Sequence, residues 1–253
     1  MKKKKHFLSM ILGLALSLTI LFPSFAQASE IPNQLLSSYE YDDTVSDVRK
    51  NLHFIEGNLG DSHVVYTYEE NNKKYKAIET SSDDFKNVTS MIYCLNETGN
   101  YILQSTQNFS IDDNGNPEIL ITTKDSNNKY QKIHLEMNEE NGISLTGEWA
   151  THYYNGSKGG LKGLALSVLV SVVAAIATYY TAGALSAAMV SGASTIATGL
   201  FNRNSSVVYY RLIRNTRISP KNNFVVDETN YTTFYLDSTH KYSLGSTYVE
   251  YIF

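Results

Sequence analysis

Between Lys162 and Arg203 the chain runs for forty residues, 163–202, without an Asp, Glu, Lys, Arg or His. A single helix of that length would reach about 60 Å at about 1.5 Å per residue. The hydrocarbon core of a bilayer is only about 30 Å thick and takes about 20 residues per helix. The stretch is therefore expected to fold back on itself, with Gly183 in "YYTAGA" at the turn and Tyr179 and Tyr180 beside it. The predicted object is a helical hairpin with arms 163–180 and 184–201.

Small residues recur every four positions along it. Gly163, Ser167, Ser171 and Ala175 do so on the first arm, and Ala184, Ala188 and Gly192 on the second. A second series runs Gly183, Ala187, Ser191, Thr195 and Gly199. Such strips let two helix backbones approach closely in lipid, so Gly163, Ser167, Ser171, Ala175, Gly183, Ala188 and Gly192 are candidate helix-packing positions. The apolar candidates for insertion are Leu164, Leu166, Val168, Val170, Val173, Ile176, Leu185, Val190, Ile196, Leu200 and Phe201. Strong apolar residues contribute only about −0.3 to −0.6 kcal/mol each at a span centre, and the remainder here is Ala, Gly, Ser, Thr and Tyr. The first arm reads as a fair membrane helix and the second as a marginal one. Three fates stay open: a permanently buried core, a hairpin stored in a soluble form and later released into a membrane, and a constitutive anchor.

The flanks are basic. Lys158 and Lys162 precede the stretch, and Arg203, Arg211, Arg214, Arg217 and Lys221 follow it with no acid before Asp227. Basic residues near an anionic leaflet are worth about 1 kcal/mol each, so Lys158, Lys162, Arg203, Arg211, Arg214 and Arg217 are candidate headgroup contacts. The wider charge distribution has the same polarity. Residues 29–157 hold 9 Lys and Arg against 21 Asp and Glu, a balance of −12, whereas residues 158–253 hold 8 against 4, a balance of +4.

The N-terminus carries Lys2 to Lys5, an uncharged run from Phe7 to Phe22, and Ala26-Gln27-Ala28 before Ser29. That is the pattern of a secretory signal peptide cleaved after Ala28, so an extracellular product is expected. Cys94 is the only cysteine, which excludes an intramolecular disulfide and suits a core role in "MIYCLNE".

Strand patterns dominate the rest, as in "HVVYTYEE", "KKYKAIET", "VTSMIYCL", "YILQSTQNFSI", "EILITTK", "YQKIHLEM" and "ISLTGEW". The breaks carry Asn, Asp or Gly, which tolerate the positive φ of tight turns, and "NN" at 71–72 reads as a hairpin turn. "DDTVSDVRKNLHFIEG" is expected to form a short helix ending at Gly57, and "THYYNGSKGG" a linker. Strands resume in "SVVYYRLIRNTRI", "NNFVVDE", "YTTFYLD", "KYSLG" and "STYVEYIF". The predicted fold is α+β: a β-rich antiparallel meander or sandwich with one hydrophobic Ala/Gly-rich helical hairpin. The expected segments are a signal peptide (1–28), an acidic β-rich domain (29–157), the hairpin (158–203) and a basic, Tyr-rich C-terminal β segment (204–253).

No catalytic, cofactor or metal signature is found. None of the six His stands at a metal-helix spacing, and G-x-S-x-G and P-loop patterns are missing. Asp112, Asn114 and Asn116 imitate a calcium loop, but Pro117 and Thr123 stand where Gly and Glu are required. Trp149 reads as core. The Tyr of the strand segments, among them Tyr66, Tyr68, Tyr209, Tyr210, Tyr231, Tyr235, Tyr248 and Tyr251, read as sheet packing or as amphipathic contacts with headgroups, a receptor or a wall sugar.

The "AQASE" signal end, the acidic β region and the hairpin opening "SKGGLKGLALSVLVSVVAA" together resemble the large, heat-labile secreted bacteriocins of the geobacillin type. The resemblance implies bacteriolytic or growth-inhibitory activity without an enzymatic cofactor. The expected function is thus a secreted, non-enzymatic antibacterial protein that permeabilises membranes. Its expected partners are an anionic bacterial membrane, a cell-surface receptor and further copies of itself, and nucleic acid is not expected. A structural or adhesion protein, or an anchored surface-binding domain, is the alternative.

Overall fold

The computed structural model describes residues 48–83, 85–111, 117–123, 130–134, 142–146, 149–178, 187–219 and 225–252. Its strands form two antiparallel sheets. The first is a meander in chain order: β1 (Lys50–Glu56), β2 (His63–Glu70), β3 (Lys73–Ser81), β4 (Asn87–Leu95), β5 (Tyr101–Ile111), β6 (Pro117–Thr123) and β7 (Tyr130–His134). The second has the order β12-β11-β10-β9-β8, built from β8 (Gly142–Thr146), β9 (Trp149–Gly159), β10 (Val207–Ile218), β11 (Val225–Tyr235) and β12 (Ser243–Ile252). Two helices, α1 (Leu166–Thr178) and α2 (Ala187–Asn202), interrupt the second sheet between β9 and β10. This is the expected α+β architecture.

Local chemistry explains most of the elements. Asn71 and Asn72 both take left-handed φ, 52° and 60°, which gives β2 and β3 the two-residue turn whose twist matches their own. β2 buries Val64, Tyr66 and Tyr68 on the face that meets the helices, and Val65 is buried as well. β1 replaces the C-terminal part of the expected helix. Its pairing with β2 satisfies the backbone, and a register shift after Lys50 accommodates Asn51 at φ 56°.

Two other expectations are corrected. "THYYNGSKGG" is not a linker, because 151–159 belong to β9, which pairs with β10 in unbroken register from Trp149↔Arg217 to Gly159↔Val207. The segments read separately as "NNFVVDE" and "YTTFYLD" fuse from Val225 into β11, and "KYSLG" and "STYVEYIF" fuse into β12. β8 and β9 lie in the acidic N-terminal half of the sequence yet share a sheet with the basic C-terminal strands.

α1 packs against β4 and β5 of the first sheet and against β11 and β12 of the second, so it lies between the two. α2 packs against α1 and β12. Twelve of the thirteen residues of α1, from Leu166 to Ala177, are buried. They belong to one apolar cluster with Tyr66, Val88, Ile92 and Phe109 from the first sheet and Val208, Tyr210, Leu212 and Phe234 from the second. A helix apolar all round is stable only where it is covered all round, and the two sheets provide that cover.

Candidate functional site

The helix pair departs from and returns to the same place. Gly159 and Val207 face each other in the β9–β10 ladder, and the Leu161 amide donates to the Ser206 carbonyl at 3.1 Å. The whole excursion is therefore an enlarged hairpin connection. Its absence would leave the ladder of the second sheet unbroken.

α1 starts at "LAL" (164–166), which contains no capping residue. Its orphan amides are met instead by side chains of three strands. The Ala165 amide donates to Gln107 Oε1 at 2.8 Å, the Leu166 amide to Tyr66 Oη at 2.9 Å, and the Ser167 amide to Glu79 Oε2 at 2.9 Å. Glu79 also accepts from the Ser167 hydroxyl, from Tyr66 at 2.9 Å and from Ser90 at 3.1 Å. Glu79, Ser90 and Gln107 are register neighbours on β3, β4 and β5, so the cap is one straight polar row across the sheet. A carboxylate at a helix N-terminus is favoured by the helix dipole. Burial pushes the Glu79 carboxyl above its ordinary value, although the hydrogen bonds from Ser167, Tyr66 and Ser90 oppose this. Burial, with Glu79 alongside, likewise drives the Tyr66 phenol well above its own.

Arg49 holds the other ends. Its Nη1 donates to the Leu164 carbonyl at 2.7 Å, its backbone amide to the Asn202 carbonyl at 2.9 Å, and its Nε to Glu70 at 2.9 Å. The guanidinium lies 4.3 Å from the centroid of Phe201, which itself stands edge-on to Tyr66 and Tyr68. A cation at the end of α2 complements that helix dipole. Asn204 ties the two feet together, accepting from the Gly163 amide and donating to Glu70, each at 2.9 Å.

The second sheet receives the helices differently. Its inner face carries Arg214, Thr216, Glu228, Asn230, Thr232 and Thr247. Arg214 and Glu228 form an ion pair at 2.9 Å. Burial works against the Arg214 charge, but Glu228 outweighs it and holds the guanidinium above its usual value. Among the described residues, Asn230 Oδ1, Thr232 Oγ1 and Thr247 Oγ1 are buried with no hydrogen-bond partner. α2 rests on this region, since a Cβ at Gly192 would lie 3.5 Å from Thr247 Cγ2. Further along, a Cβ at Gly199 would stand 2.9 Å from Leu244 Cδ2, so any larger residue there would require the Leu244 side chain to shift.

These contacts redistribute the expected site residues. Leu164, Leu166, Val168, Val170, Val173, Ile176, Ile196, Leu200 and Phe201 are all buried in the protein interior. Gly163 lies ahead of α1 rather than on it, at φ 81°, with its amide on Asn204 and its carbonyl on Gln107. The hydroxyls of Ser167 and Ser171 bond to Glu79 and to the Phe85 carbonyl, so they serve the first sheet rather than a helix–helix strip. Ala175 is buried within α1, and Gly192 faces β12 rather than α1. Ala188 and Val190 fall within α2. Gly183, Leu185, Tyr179, Tyr180, Lys221, residues 1–47 with the expected signal peptide, and the imitation calcium loop at 112–116 lie outside the described residues.

The basic flank is also divided. Lys162 is exposed, Lys158 and Arg203 are half-buried beside the feet, and Arg211 is exposed on the outer face of the second sheet. Arg214 points inward to Glu228, and Arg217 pairs with Asp227 across β10–β11. Asp227 and Glu228 come later in sequence, but folding of β11 onto β10 brings both beside the arginines. Trp149 is corrected from core to surface: it is 37% exposed, with the Arg217 guanidinium over its ring at 5.9 Å.

Sequence reasoning missed Glu79, Gln107 and Arg49, and read Tyr66 as sheet packing or an amphipathic surface contact rather than as a helix cap. A signal was present in Glu79, which follows Tyr75 and Ala77 on one face of β3 and puts a carboxylate next to apolar positions.

Among the described residues, no helix is long and apolar enough to cross a membrane, and no group of three or more His, Cys, Asp or Glu could hold a metal ion. Comparison with protein families, curated proteins and solved structures finds no match to the chain.

Proposed function

We propose that this is a secreted antibacterial protein that stores an apolar helix pair between two sheets and releases it into an anionic target membrane. The observation that carries the reading is topological. Both feet of the excursion meet at the paired positions Gly159 and Val207, so the helices can depart as a unit while β9 and β10 stay hydrogen-bonded. Charge agrees, because nothing between Lys162 and Arg203 would need to enter lipid ionised. At about 1.5 Å per residue, the thirteen residues of α1 give about 20 Å and the sixteen of α2 about 24 Å. Both fall short of a bilayer core of about 30 Å, so insertion requires the helices to lengthen into the uncharged residues beside them.

A second reading, an adhesion or structural protein with a permanent helical core, is favoured by the fully bonded cap at Glu79 and Gln107. A reversible lock separates the two. In a Cys94→Ser background, Gly192→Cys with Thr247→Cys places two thiols across the α2–β12 contact. Native protein is expected to release dye from phosphatidylglycerol vesicles, the oxidised lock to release none, and reduction to restore release. Failure of the native protein to release dye, or equal release by the locked form, rejects the proposal. Growth inhibition that survives locking supports the permanent core.

A further inference from the structure

Among the described residues, three of the five exposed tyrosines, Tyr153, Tyr231 and Tyr248, converge on one place. On the outer face of the second sheet, Tyr153 of β9 pairs with Ile213 of β10, Ile213 with Tyr231 of β11, and Tyr231 with Tyr248 of β12. Residues directly opposite in a ladder share a face, so these four form a straight row. The row covers three strand gaps of about 4.8 Å, roughly 15 Å in all. Its tyrosines are 44%, 47% and 57% exposed, although tyrosine buried against a neighbouring layer would be the ordinary use of such positions.

The rows on either side are polar and largely uncharged. One runs Thr151, Asn215, Thr229 and Glu250; the Thr151 hydroxyl donates to Asn215 at 2.8 Å, and Asn215 donates to Thr229 at 3.2 Å. The other runs Asn155, Arg211, Thr233, Ser246, with Thr233 and Ser246 bonded at 3.0 Å. The platform is thus aromatic along its centre and bordered by amides and hydroxyls, with one charge of opposite sign in each border, Glu250 and Arg211.

We infer that this face binds a neutral cell-wall polysaccharide, with Tyr153, Tyr231 and Tyr248 stacking on sugar rings and the bordering amides and hydroxyls bonding to sugar hydroxyls. A pyranose ring has apolar C–H faces and a hydroxyl rim, the same division of chemistry as this platform. An anionic membrane fits less well. Arg217 is neutralised by Asp227, and Glu250, which accepts from Tyr248 at 3.4 Å, offsets Arg211. A second protein copy fits less well also, since one row of side chains is far smaller than the roughly 800 Å² per partner of a stable interface. The inference stands apart from helix release, because the face lies on the side of the sheet away from both helices.

Co-sedimentation with insoluble peptidoglycan sacculi tests it, with chitotetraose as the soluble competitor. The protein is expected to sediment with the sacculi, to be displaced by chitotetraose, and to lose about tenfold or more in affinity in the double variant Tyr231→Ala/Tyr248→Ala. Tyr231→Phe, which keeps the ring, is expected to retain binding, and the oxidised α2–β12 lock to bind like native protein. Circular dichroism confirms that each variant is folded. Lack of sedimentation, or unchanged binding by the folded double-alanine variant, overturns the inference. So does a double-alanine defect confined to vesicle binding, or to self-association in analytical ultracentrifugation.

Discussion

Across the first sheet, Glu79, Ser90 and Gln107 form a buried polar row in which each side chain has a hydrogen-bond partner, and together with Tyr66 they cap α1. On the second sheet, Asn230 and Thr232 of β11 and Thr247 of β12 belong to a buried polar patch in which, among the described residues, three oxygens have none. Row and patch lie beneath the same pair of apolar helices. The difference is one of fit rather than polarity. A buried polar group that is bonded is roughly neutral or mildly favourable, whereas an orphaned one costs about 1–3 kcal/mol. The first sheet therefore holds the helix pair, and the second sheet gains if the pair moves away and water reaches its threonines. Opening is expected to start on the α2–β12 side.

The largest expected effect breaks the bonded row. Glu79→Ala leaves the Ser167 amide and hydroxyl, Tyr66 and Ser90 without their common acceptor, and is expected to cost about 3–5 kcal/mol in urea denaturation. A loss below about 1 kcal/mol would mean that this row is no clamp. Tyr66→Phe removes one hydroxyl that both accepts from Leu166 and donates to Glu79, so a smaller loss of about 2 kcal/mol is expected by the same assay.

The orphaned patch should respond with the opposite sign. Thr232→Val keeps the shape and removes an unbonded hydroxyl, so stability is expected to rise by about 1 kcal/mol, and dye release to slow. Destabilisation in that variant would show that the hydroxyl is bonded in solution and would erase the contrast between the sheets.

The smallest effect is in pH. Glu79 has a folded-state pKa raised by burial, so its stabilising contribution is complete below the ordinary glutamate value and is lost as pH rises through the raised value. Glu79→Gln imitates the protonated form. Its stability relative to native protein is expected to increase as pH climbs from the carboxylate range towards neutrality, measured by paired urea titrations. A pH-independent difference would place the Glu79 pKa near its ordinary value.

Much of the fold was readable from residues. Asn71-Asn72 announced the β2–β3 hairpin, and the uncharged stretch announced the helix pair, because turn chemistry and charge exclusion act locally. What escaped depends on distant partners. α1 has no cap of its own, and its cap comes from Tyr66, Glu79 and Gln107, up to a hundred positions away. β9 resembled a linker because Asn155-Gly156 and Gly159-Gly160 are turn-prone, yet eleven ladder positions on β10 override that propensity. The basic cluster looked unopposed because Asp227 and Glu228 meet Arg217 and Arg214 only once β11 folds against β10.

Native-state hydrogen exchange, read by mass spectrometry over peptides from α1 and α2, tests the asymmetry most directly. The result expected is a sub-global opening in which amides of α2 between Gly192 and Phe201 exchange at a lower free energy than those of α1 between Leu169 and Ala177. Exchange of both helices only through global unfolding, at one common free energy, would contradict it.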